Sequence, residues 1–333
     1  MVKLKKMEND LYCRQSRIIA VDCNFPPRPE AIIIKDAIMR YVGYAIPFLL
    51  ALTVMPIVGH AGEFRVGAWN MEHLDENDNE GCVGRIGEDY DVMSRQMAKT
   101  GVDVLAFQEV ENAAAAHRVF PASMWNVEIS RRPPGKGGRA CWDRPEARLG
   151  HLATGFAIKS DIAYRRNGDL ESLGADGEFQ RWGTDVTIVE DGGELRLLSV
   201  HLRTGCWGKE QDIQDRSAKA CATLRGQIEQ LKIWIDERIG EGTAFVVLGD
   251  FNRRLTVKED WGWKLLSPPD APLRLLAMGV PFQCDPQYTD FIDHMVVGGG
   301  AEMMISPNSF IETPKSGPHP DHCAISALFR IGG

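Results

Sequence analysis

Strand-like segments outnumber helix-like ones from Gly62 to the end of the chain. Short runs rich in Val, Ile and Leu are typical of buried strands, and they occupy 64–71, 102–110, 154–160, 184–190, 195–202, 244–250, 291–299 and 322–331. Helical periodicity is present at 90–101 and at 218–239, where the second segment aligns apolar residues along one face. Because the helices lie between strands, the pattern predicts stacked sheets with helices outside them.

The first 61 residues differ in character from the rest. Residues 39–61 begin with a cationic Arg40, continue through an apolar run at 41–58 that two prolines interrupt, and end in Gly-His-Ala. This layout is typical of a secretory signal peptide, although the run nearly reaches the length of a membrane anchor. We predict a cleaved signal peptide at 39–61, an over-extended N-terminus at 1–38 and one domain at 62–333, in a secreted or periplasmic protein. The alternatives are an uncleaved anchor and a native N-terminal extension.

Six of the eight cysteines follow the predicted leader: Cys82, Cys141, Cys206, Cys221, Cys284 and Cys323. An even number of cysteines in an exported chain favours disulfides. We expect Cys206 to pair with Cys221, because these two flank one polar loop between a strand and a helix. The alternative is that some of the six are ordinary buried thiols, and Cys323, inside an apolar strand, is the first candidate for one. No spacing of cysteine and histidine indicates zinc.

Composition and charge define the class of protein rather than its substrate. The 333 residues are 44% hydrophobic and 25% charged, as in ordinary globular proteins. The formal net charge of −8 gives no general basic field of the kind that nucleic-acid-binding proteins often carry. A local basic groove on an acidic body would still allow an enzyme that cuts phosphate esters.

Several predicted strands end in polar side chains, most clearly at "FVVLGDFNRR" (245–254). Alternation along a strand places Asp250 and Asn252 on one side and Phe251 on the other. A single Asp here could simply form a turn or cap a helix. Polar groups recur, however, at other strand ends: Asn70, Glu72, Gln108, Glu109, His201, Asp293, Asp321 and His322. Oxygen donors suit Mg²⁺, Mn²⁺ or Ca²⁺, and together with histidine they suit metal-assisted hydrolysis of a phosphoester.

These motifs resemble those of the endonuclease/exonuclease/phosphatase superfamily, which includes pancreatic-type deoxyribonuclease and neutral sphingomyelinases. The matching stretches follow the family's order: "AWNM", "VLAFQEV", "LLSVHL", "VVLGDFN", "FIDHMVV" and "HPDHCAIS". They extend from 64 to about 329, and "GDFN" with a terminal "DH" is the most specific combination. The resemblance implies an α/β fold, a four-layer sandwich of two packed and mainly antiparallel sheets flanked by helices. The site would lie at one edge of the sheets.

The resemblance also implies which residues hold a metal ion. Glu109 matches the family's principal metal-binding glutamate, Asn70 matches an asparagine that supports metal and phosphate, and Asp321 matches a second carboxylate on the metal side. The cofactor would be Mg²⁺, or Mn²⁺ or Ca²⁺ in its place. Some relatives brace the phosphate with a Tyr or Glu on the strand near 150, where this chain has neither, and His151 is the nearest substitute.

Catalytic roles are implied for five further residues. His322 matches the catalytic histidine, and Asp293 matches the carboxylate that orients it. Asp250 matches an aspartate that orients or activates the nucleophile, Asn252 matches its phosphate-contacting partner, and His201 matches a histidine that steadies the phosphate oxygens. Either Asp250 or His322 could be the general base, and His322 could instead be an imidazolium that stabilises the transition state.

Two loops are expected to select the substrate. The segment 130–150 holds several arginines among glycines and prolines, and it could follow a polyanionic backbone or be only a solvated loop. In the segment 253–290, Trp261 and Trp263 could stack on bases, touch lipid or cover the core. The long apolar hairpin of a membrane-docking sphingomyelinase is not evident in the sequence.

The sequence thus favours a metal-dependent hydrolase of phosphodiester bonds, a nuclease acting on DNA or RNA, with Arg203 and Arg253 as substrate-binding residues. The first alternative is a phosphatase or phospholipase C-type phosphodiesterase with a sphingomyelin-like or inositol phosphate-like substrate. The second is an inactive binding module, which the complete set of polar strand ends disfavours. We expect a monomer without a stable protein partner and without membrane anchoring after cleavage of the leader.

Overall fold

The computed structural model describes residues 62–333 except 136–137, 176, 178–179, 209–216, 270–271, 316, 318–319 and 333. The predicted N-terminal extension and signal peptide, residues 1–61, lie outside this described part. Within it, no helix combines the length and the apolar character that a bilayer span requires.

The described residues form twelve strands and four α-helices. The strands are β1 (Gly62–Leu74), β2 (Val104–Val110), β3 (Trp125–Ile129), β4 (Ala153–Lys159), β5 (Tyr164–Arg166), β6 (Thr184–Glu190), β7 (Gly193–His201), β8 (Phe245–Asp250), β9 (Arg274–Leu275), β10 (Asp293–Gly298), β11 (Ile311–Thr313) and β12 (Ala324–Ile331). The helices are α1 (Gly87–Thr100), α2 (Ala113–Val119), α3 (Ala218–Glu241) and α4 (Trp261–Leu266), and short 3-10 helices cover Glu171–Gly174 and Ala301–Met304.

The strands build two six-stranded sheets with similar central arrangements. The first has the order β11-β12-β1-β2-β4-β3 and the second β5-β6-β7-β8-β10-β9. In each, the central pair is parallel, β1 with β2 and β7 with β8, and its outer neighbours are antiparallel. The expected sandwich of two sheets flanked by helices is therefore confirmed.

Three layers of apolar side chains hold the sandwich together. One lies between the sheets, where Val66, Val246 and Phe329 are fully buried. The second lies beneath α1 and α2 on the first sheet. The third joins α3 and α4 to the second sheet, and it buries the stripe that the helical periodicity predicts, Leu224, Ile228, Leu231 and Ile235. Burial of apolar area on both faces of each sheet stabilises the four layers together.

The inward-facing rows of the two sheets end in polar residues. In β8 the row continues from Val246 and Leu248 to Asp250, and in β7 it continues from Leu197 to His201. Because successive strand residues alternate between faces, these polar groups point into the space between the sheets, at the end of the apolar core. The polar strand ends of the sequence thus meet at one edge of the sandwich.

One difference from the sequence-based expectations affects this edge, and one of the alternatives for the segment 253–290 is favoured. The last strand begins at Ala324 rather than at His322, so Asp321 and His322 lie in the loop before β12. Trp261 is 6% exposed and packs in the third apolar layer, which favours the core-covering alternative for this side chain.

Among the described residues three disulfides are present: Cys82–Cys141, Cys206–Cys221 and Cys284–Cys323. The predicted Cys206–Cys221 pair is confirmed. The alternative of a free buried thiol at Cys323 is wrong, because this residue precedes β12 and faces Cys284 across the loop.

Candidate active site

Asp250 is the most completely surrounded carboxylate of the sheet edge. It accepts hydrogen bonds from Asn70 Nδ2 at 3.0 Å, from the Asn252 backbone N–H at 2.7 Å and from Asn252 Nδ2 at 3.0 Å. Asn252 has a positive φ of 49°, a left-handed conformation that folds its amide back onto Asp250. The pKa of Asp250 is raised to about 7. Burial is the largest cause of this rise and Asp293 adds to it, whereas the nearby imidazole of His322 opposes it. This carboxyl group can therefore exchange a proton near neutral pH.

His322 and Asp293 form a direct pair beside Asp250. The Nδ1 atom of His322 lies 2.7 Å from Asp293 Oδ2, and its Nε2 atom lies 4.0 Å from Asp250 Oδ2. Burial alone would lower the pKa of His322, but Asp293, Asp250 and Asp321 together raise it well above its usual value. The pair therefore presents a cationic N–H toward the space beside Asp250.

Glu109 is linked to Asp250 through His201, whose Nε2 atom lies 3.5 Å from Asp250 Oδ2, and it has an unusual backbone conformation. Its φ is 60°, and the pairing of β2 with β4 shifts register around it. Regular alternation would turn this side chain away from the core row, whereas here Oε1 lies 3.6 Å from His201 Nε2 and Oε2 lies 3.4 Å from His73 Nε2. A non-glycine residue in this conformation costs free energy, and such residues concentrate at functional sites.

The charges around Glu109 keep it ionised. Burial raises its pKa, but His201, His73, Arg181 and His322 outweigh burial and lower the pKa to about 2. Burial, and after it the Arg181 cation, lowers the pKa of His201 well below its usual value, while Glu109 opposes this shift. Arg181 and the imidazolium of His322 are positive charges that act on Glu109.

The sequence motifs assigned no role at the site to Arg181, Glu72 or His73. Arg181 precedes β6 in a loop without any motif, and only the fold brings it near Glu109 and Asp250. Glu72 Oε2 accepts a hydrogen bond from the Asp321 backbone N–H at 3.1 Å, which ties the loop of His322 to β1. The signal for Glu72 and His73 was their position directly after "AWNM".

The other expected metal residues have different surroundings. Asn70 uses its amide N–H₂ for Asp250, and its Oδ1 accepts from the Glu72 backbone N–H at 3.0 Å. The Asp321 side chain is 63% exposed, and its Oδ1 lies 3.9 Å from His322 Nε2. In the described structure Asn70 therefore positions Asp250, while Asp321 offers an open carboxylate at the rim.

The expectation that Arg253 binds substrate is not supported. Its side chain is buried, pairs with Asp260 at 2.7 Å and donates to the carbonyl oxygens of Cys206 and Gly208. Arg253 lies on the side of Phe251, where it contacts Trp261, whereas Arg254 lies on the side of Asn252 and lines the open cavity. The backbone N–H of Arg203 donates to Gln227 at 2.7 Å, and its guanidinium is close enough to lower the pKa of Arg181.

Two cavities flank the carboxylates. The His322 cavity, of about 490 Å³, contains Asn252, Arg254, Trp207, Tyr288 and His322 in its wall. The Glu109 cavity, of about 380 Å³, is lined by Glu109, His73, Arg139, Trp142 and Arg181, among others. A chain-like substrate that occupied both cavities would therefore contact His322 in one and Glu109 with Arg181 in the other.

The donor set fits a hard divalent cation. Two arrangements are possible among the described residues, one around Glu109 and one in which Asp250, Asp293 and His322 bring one ligand atom each within 4.8 Å of the others. We favour Glu109, because the imidazole of His322 is hydrogen-bonded to Asp293 and held in its cationic form. A protonated imidazole cannot ligate a metal ion, whereas the buried and ionised Glu109 carboxylate can.

Comparisons with known proteins identify the fold. No protein-family model and no curated protein matches the sequence. Truncated TDP2 from Caenorhabditis elegans is similar with a TM-score of 0.55 and 16% identity, over 80% of this chain and 97% of that one. The human Nocturnin catalytic domain, solved with a bound sulfate anion, gives 0.52 and 14% over 82% and 94%. An endonuclease/exonuclease/phosphatase from Bacteroides vulgatus gives 0.51 and 14% over 81% and 99%.

These solved structures share the two packed sheets and the flanking helices over four-fifths of this chain. At 14 to 16% identity the likeness concerns the architecture, and it agrees with the family resemblance of the sequence motifs. The chain has the fold of the endonuclease/exonuclease/phosphatase superfamily.

Proposed function

We propose that the chain is a divalent-metal-dependent hydrolase of phosphodiester bonds, and that it acts as a secreted or periplasmic nuclease on DNA or RNA. The observation that carries this proposal is the position of Asp250. Its oriented carboxyl group lies 4.0 Å from Nε2 of His322, the cationic partner of Asp293, and 3.5 Å from His201 Nε2, which in turn lies 3.6 Å from the ionised Glu109.

The groups around Asp250 would have different roles in the hydrolysis of an anionic phosphodiester. Arg181 and the His322 imidazolium offer positive charge to phosphate oxygens, which lowers the repulsion of an incoming nucleophile. Glu109 would hold the cation, with Asp321 as an open carboxylate at the rim. When bound, a divalent cation supplies neutralisation of the charge that develops on the phosphate and on the leaving oxygen.

Proton transfer is assigned to Asp250 and His322. Asp250, with a pKa of about 7, is the better acceptor for a proton from water. His322 is held protonated by Asp293, so its Nε2–H suits donation to a phosphate oxygen or to the leaving group. Of the two possible general bases in the sequence, we therefore favour Asp250.

Nucleic acid is the preferred substrate because of the Glu109 cavity. Arg139 and Arg181 line it, and the indole of Trp142 is 95% exposed at its rim. Positive groups with an exposed aromatic ring are suited to a phosphate backbone and a stacked base. Arg139 belongs to the basic loop at 130–150, whose described part borders this cavity.

A phosphatase or phospholipase C-type phosphodiesterase is the second candidate, and the His322 cavity favours it. The wall of this cavity carries the carboxylates of Asp285, Asp290 and Glu312. These negative groups oppose further phosphates on that side, so a small ester with one phosphate would fit there more readily than a long polyanion.

One assay compares these functions. Purified protein is incubated with plasmid DNA, RNA, sphingomyelin and an inositol phosphate, in EDTA and then with Mg²⁺, Mn²⁺ or Ca²⁺. The proposal expects metal-dependent cleavage of DNA or RNA that an identically purified Asp250→Asn protein lacks. Hydrolysis of only the small or lipid esters would select the second candidate, and no hydrolysis of any of them would favour an inactive binding module.

Export is proposed on the basis of the three disulfides, because such bonds persist in oxidising compartments. The mature chain, residues 62–333 acting as a monomer, would begin at or near Gly62 after removal of the signal peptide. N-terminal sequencing of protein collected from the medium or periplasm tests this proposal. A mature chain that begins at Met1 would contradict it.

A further inference from the structure

A third cavity, of about 430 Å³, contains a buried carboxylate without a hydrogen-bond partner. The residues of this Asp75 cavity come from the segment after β1, the turn after β2 and the loop 144–150. Asp75 is 6% exposed, and among the described atoms its Oδ2 has no hydrogen-bond donor. A buried carboxylate without a partner costs free energy, so its environment calls for a compensating group.

Two glycines leave room for this carboxylate. A Cβ atom at Gly81 would lie 1.8 Å from Asp75 Oδ2, and a Cβ atom at Gly150 would lie 3.2 Å from Asp75 Oδ1. The same position at Gly150 is 3.7 Å from Glu111 Cγ, so the Asp75 and Glu111 side chains approach one another there. Burial and then the charge of Glu111 raise the pKa of Asp75 to about 7, and the cations of Arg85 and Arg144 only partly oppose this rise.

The cavity wall is acidic, and the two arginines that act on Asp75 donate their hydrogen bonds elsewhere. Four carboxylates line it, those of Asp75, Glu80, Glu111 and Glu146, against the guanidinium groups of Arg144 and Arg148. The guanidinium of Arg144 donates to the carbonyl oxygens of Gly81 at 3.2 Å and Asn79 at 2.8 Å, and it lies 3.5 Å from Glu146. Arg85 donates to the carbonyl oxygens of Met71, Glu72 and His73, so neither arginine donates to Asp75 Oδ2.

We propose that the Asp75 cavity binds a divalent cation of the calcium type, with Asp75 and Glu111 as its carboxylate ligands. Glu111 Oε2 accepts from the Glu76 backbone N–H at 3.0 Å, which fixes the carboxylate and leaves its second oxygen for the cation. Ca²⁺ accepts irregular oxygen coordination completed by water and backbone carbonyls, and the cavity has room for both. Mg²⁺ demands a regular octahedron that two ligands on separate segments supply less readily.

A cation here would join segments that also border the Glu109 cavity. Glu111 lies two residues after Glu109, and the Cys82–Cys141 disulfide links the same two loops, 75–85 and 139–150. The cation would therefore act with the disulfide to hold that wall in place. The inference rests on the Asp75 cavity alone and is independent of the proposed catalytic activity.

The test counts bound Ca²⁺ and measures Tm in EDTA and in millimolar Ca²⁺. The Glu109→Gln protein lacks the expected metal ligand of the active site, and isothermal titration of this protein with CaCl₂ should still find one Ca²⁺ site. In the Asp75→Asn protein that site should weaken at least ~10-fold, as expected for loss of a ligand, and the rise of Tm with Ca²⁺ should disappear. In EDTA this variant should be at least as stable as the parent, because an uncompensated buried charge is gone.

Two further variants make the result decisive. Glu111→Gln should reproduce the loss of Ca²⁺ binding, while Glu88→Gln, an exposed carboxylate in the first turn of α1, should leave it unchanged. If Asp75 had only a structural role, the Asp75→Asn protein would have a lower Tm than the parent both in EDTA and in Ca²⁺. That outcome, or the same Ca²⁺ affinity in the Asp75→Asn and parent proteins, would overturn the proposal, as would absence of Ca²⁺ binding in the Glu109→Gln protein.

Discussion

At the scale of single residues, His322 and Asp293 should behave as one unit. Their hydrogen bond of 2.7 Å fixes which imidazole nitrogen faces Asp250. His322→Ala should lower kcat at least ~10²-fold, the low end for a positioned acid–base group, and Asp293→Asn should lose most of the same rate. The double variant should be little worse than His322→Ala, because residues that act together are not additive. Steady-state kinetics of the parent, the two single variants and the double variant measures this. If the double variant loses kcat by the product of the two single effects, His322 and Asp293 act independently.

The pKa shifts of Asp250 and His322 predict the pH dependence of the reaction. Asp250 must lose its proton to act as a base, so kcat/KM should rise with pH through about 7. His322 must keep its proton, and since its pKa is raised well above the usual value, the rate should fall only at distinctly alkaline pH. In Asp293→Asn the alkaline decline should move to lower pH, because the carboxylate that stabilises the imidazolium is gone. An unmoved alkaline limb in that variant would exclude His322 as the group responsible.

Glu109 should govern metal affinity rather than the proton transfers. Glu109→Gln keeps the shape of the side chain but removes the ionised oxygen, so half-maximal activity should require at least ~10-fold more Mg²⁺. Part of the rate should return at high metal concentration, because occupancy follows mass action. His322→Ala is the matched control, with low activity but an unchanged Mg²⁺ requirement. A Glu109→Gln protein with the parent's Mg²⁺ dependence would exclude Glu109 as a ligand.

Single residues were predictable where their motif was local. Asn70, Glu109, His201, Asp250, Asn252, Asp293 and His322 all lie in or beside strand ends, and the fold brings them together. Arg181 has no local motif and depends on the packing of two sheets. Arg253 was expected to bind substrate, although alternation from Asp250 places Arg254 on the side of the site and Arg253 on the side of Phe251, where it pairs with Asp260.

At the scale of elements, strand β8 depends on Gly249. Its φ of 130° suits glycine, and a Cβ atom there would lie 2.3 Å from the Val200 carbonyl oxygen and 2.7 Å from Gln108 Nε2. Gly249→Ala should therefore destabilise the protein by roughly 2 to 4 kcal/mol and displace Asp250, with a loss of activity. Gly240→Ala is a matched control in α3, where a Cβ atom meets nothing within 4 Å, and it should stabilise by up to ~1 kcal/mol. Chemical denaturation measures both, and equal stability of the two variants would contradict the assignment.

Elements were predictable to the extent that they carry a periodic apolar pattern. Helix α3 and the long strands do so, and their predicted and observed bounds differ by a few residues. Helix α2, with the sequence AAAAHRV, has no apolar stripe of large residues, and it is held through Ala115, Ala116 and Val119 against the first sheet. Strands β5, β9 and β11 have two or three residues each, too few to show alternation.

At the scale of the whole molecule, the disulfides lie at the same edge as the catalytic groups. Cys82 and Cys141 line the Glu109 cavity, while Cys284 and Cys323 line the His322 cavity. Cys206, the partner of Cys221, has its carbonyl oxygen bound by Arg253. Of the three apolar layers, by contrast, only the third includes cysteines, Cys206 and Cys221, among its described residues. Reduction should therefore loosen the walls of the site before it unfolds the sandwich.

The Cys284–Cys323 bridge gives the sharpest test of this division, because Cys323 follows His322 directly. Replacing both cysteines with Ala should cost up to ~4 kcal/mol by the chain-entropy model for a 39-residue separation. It should also lower kcat at saturating metal, since the loop that presents His322 loses its anchor. The matched control replaces Cys206 and Cys221, 15 residues apart, where ~3 kcal/mol should be lost with a smaller change in kcat. Tm, circular dichroism and kcat of both variants decide the matter. If the two variants lose stability and activity in the same proportion, the bridges support the fold as a whole and have no special part in positioning His322.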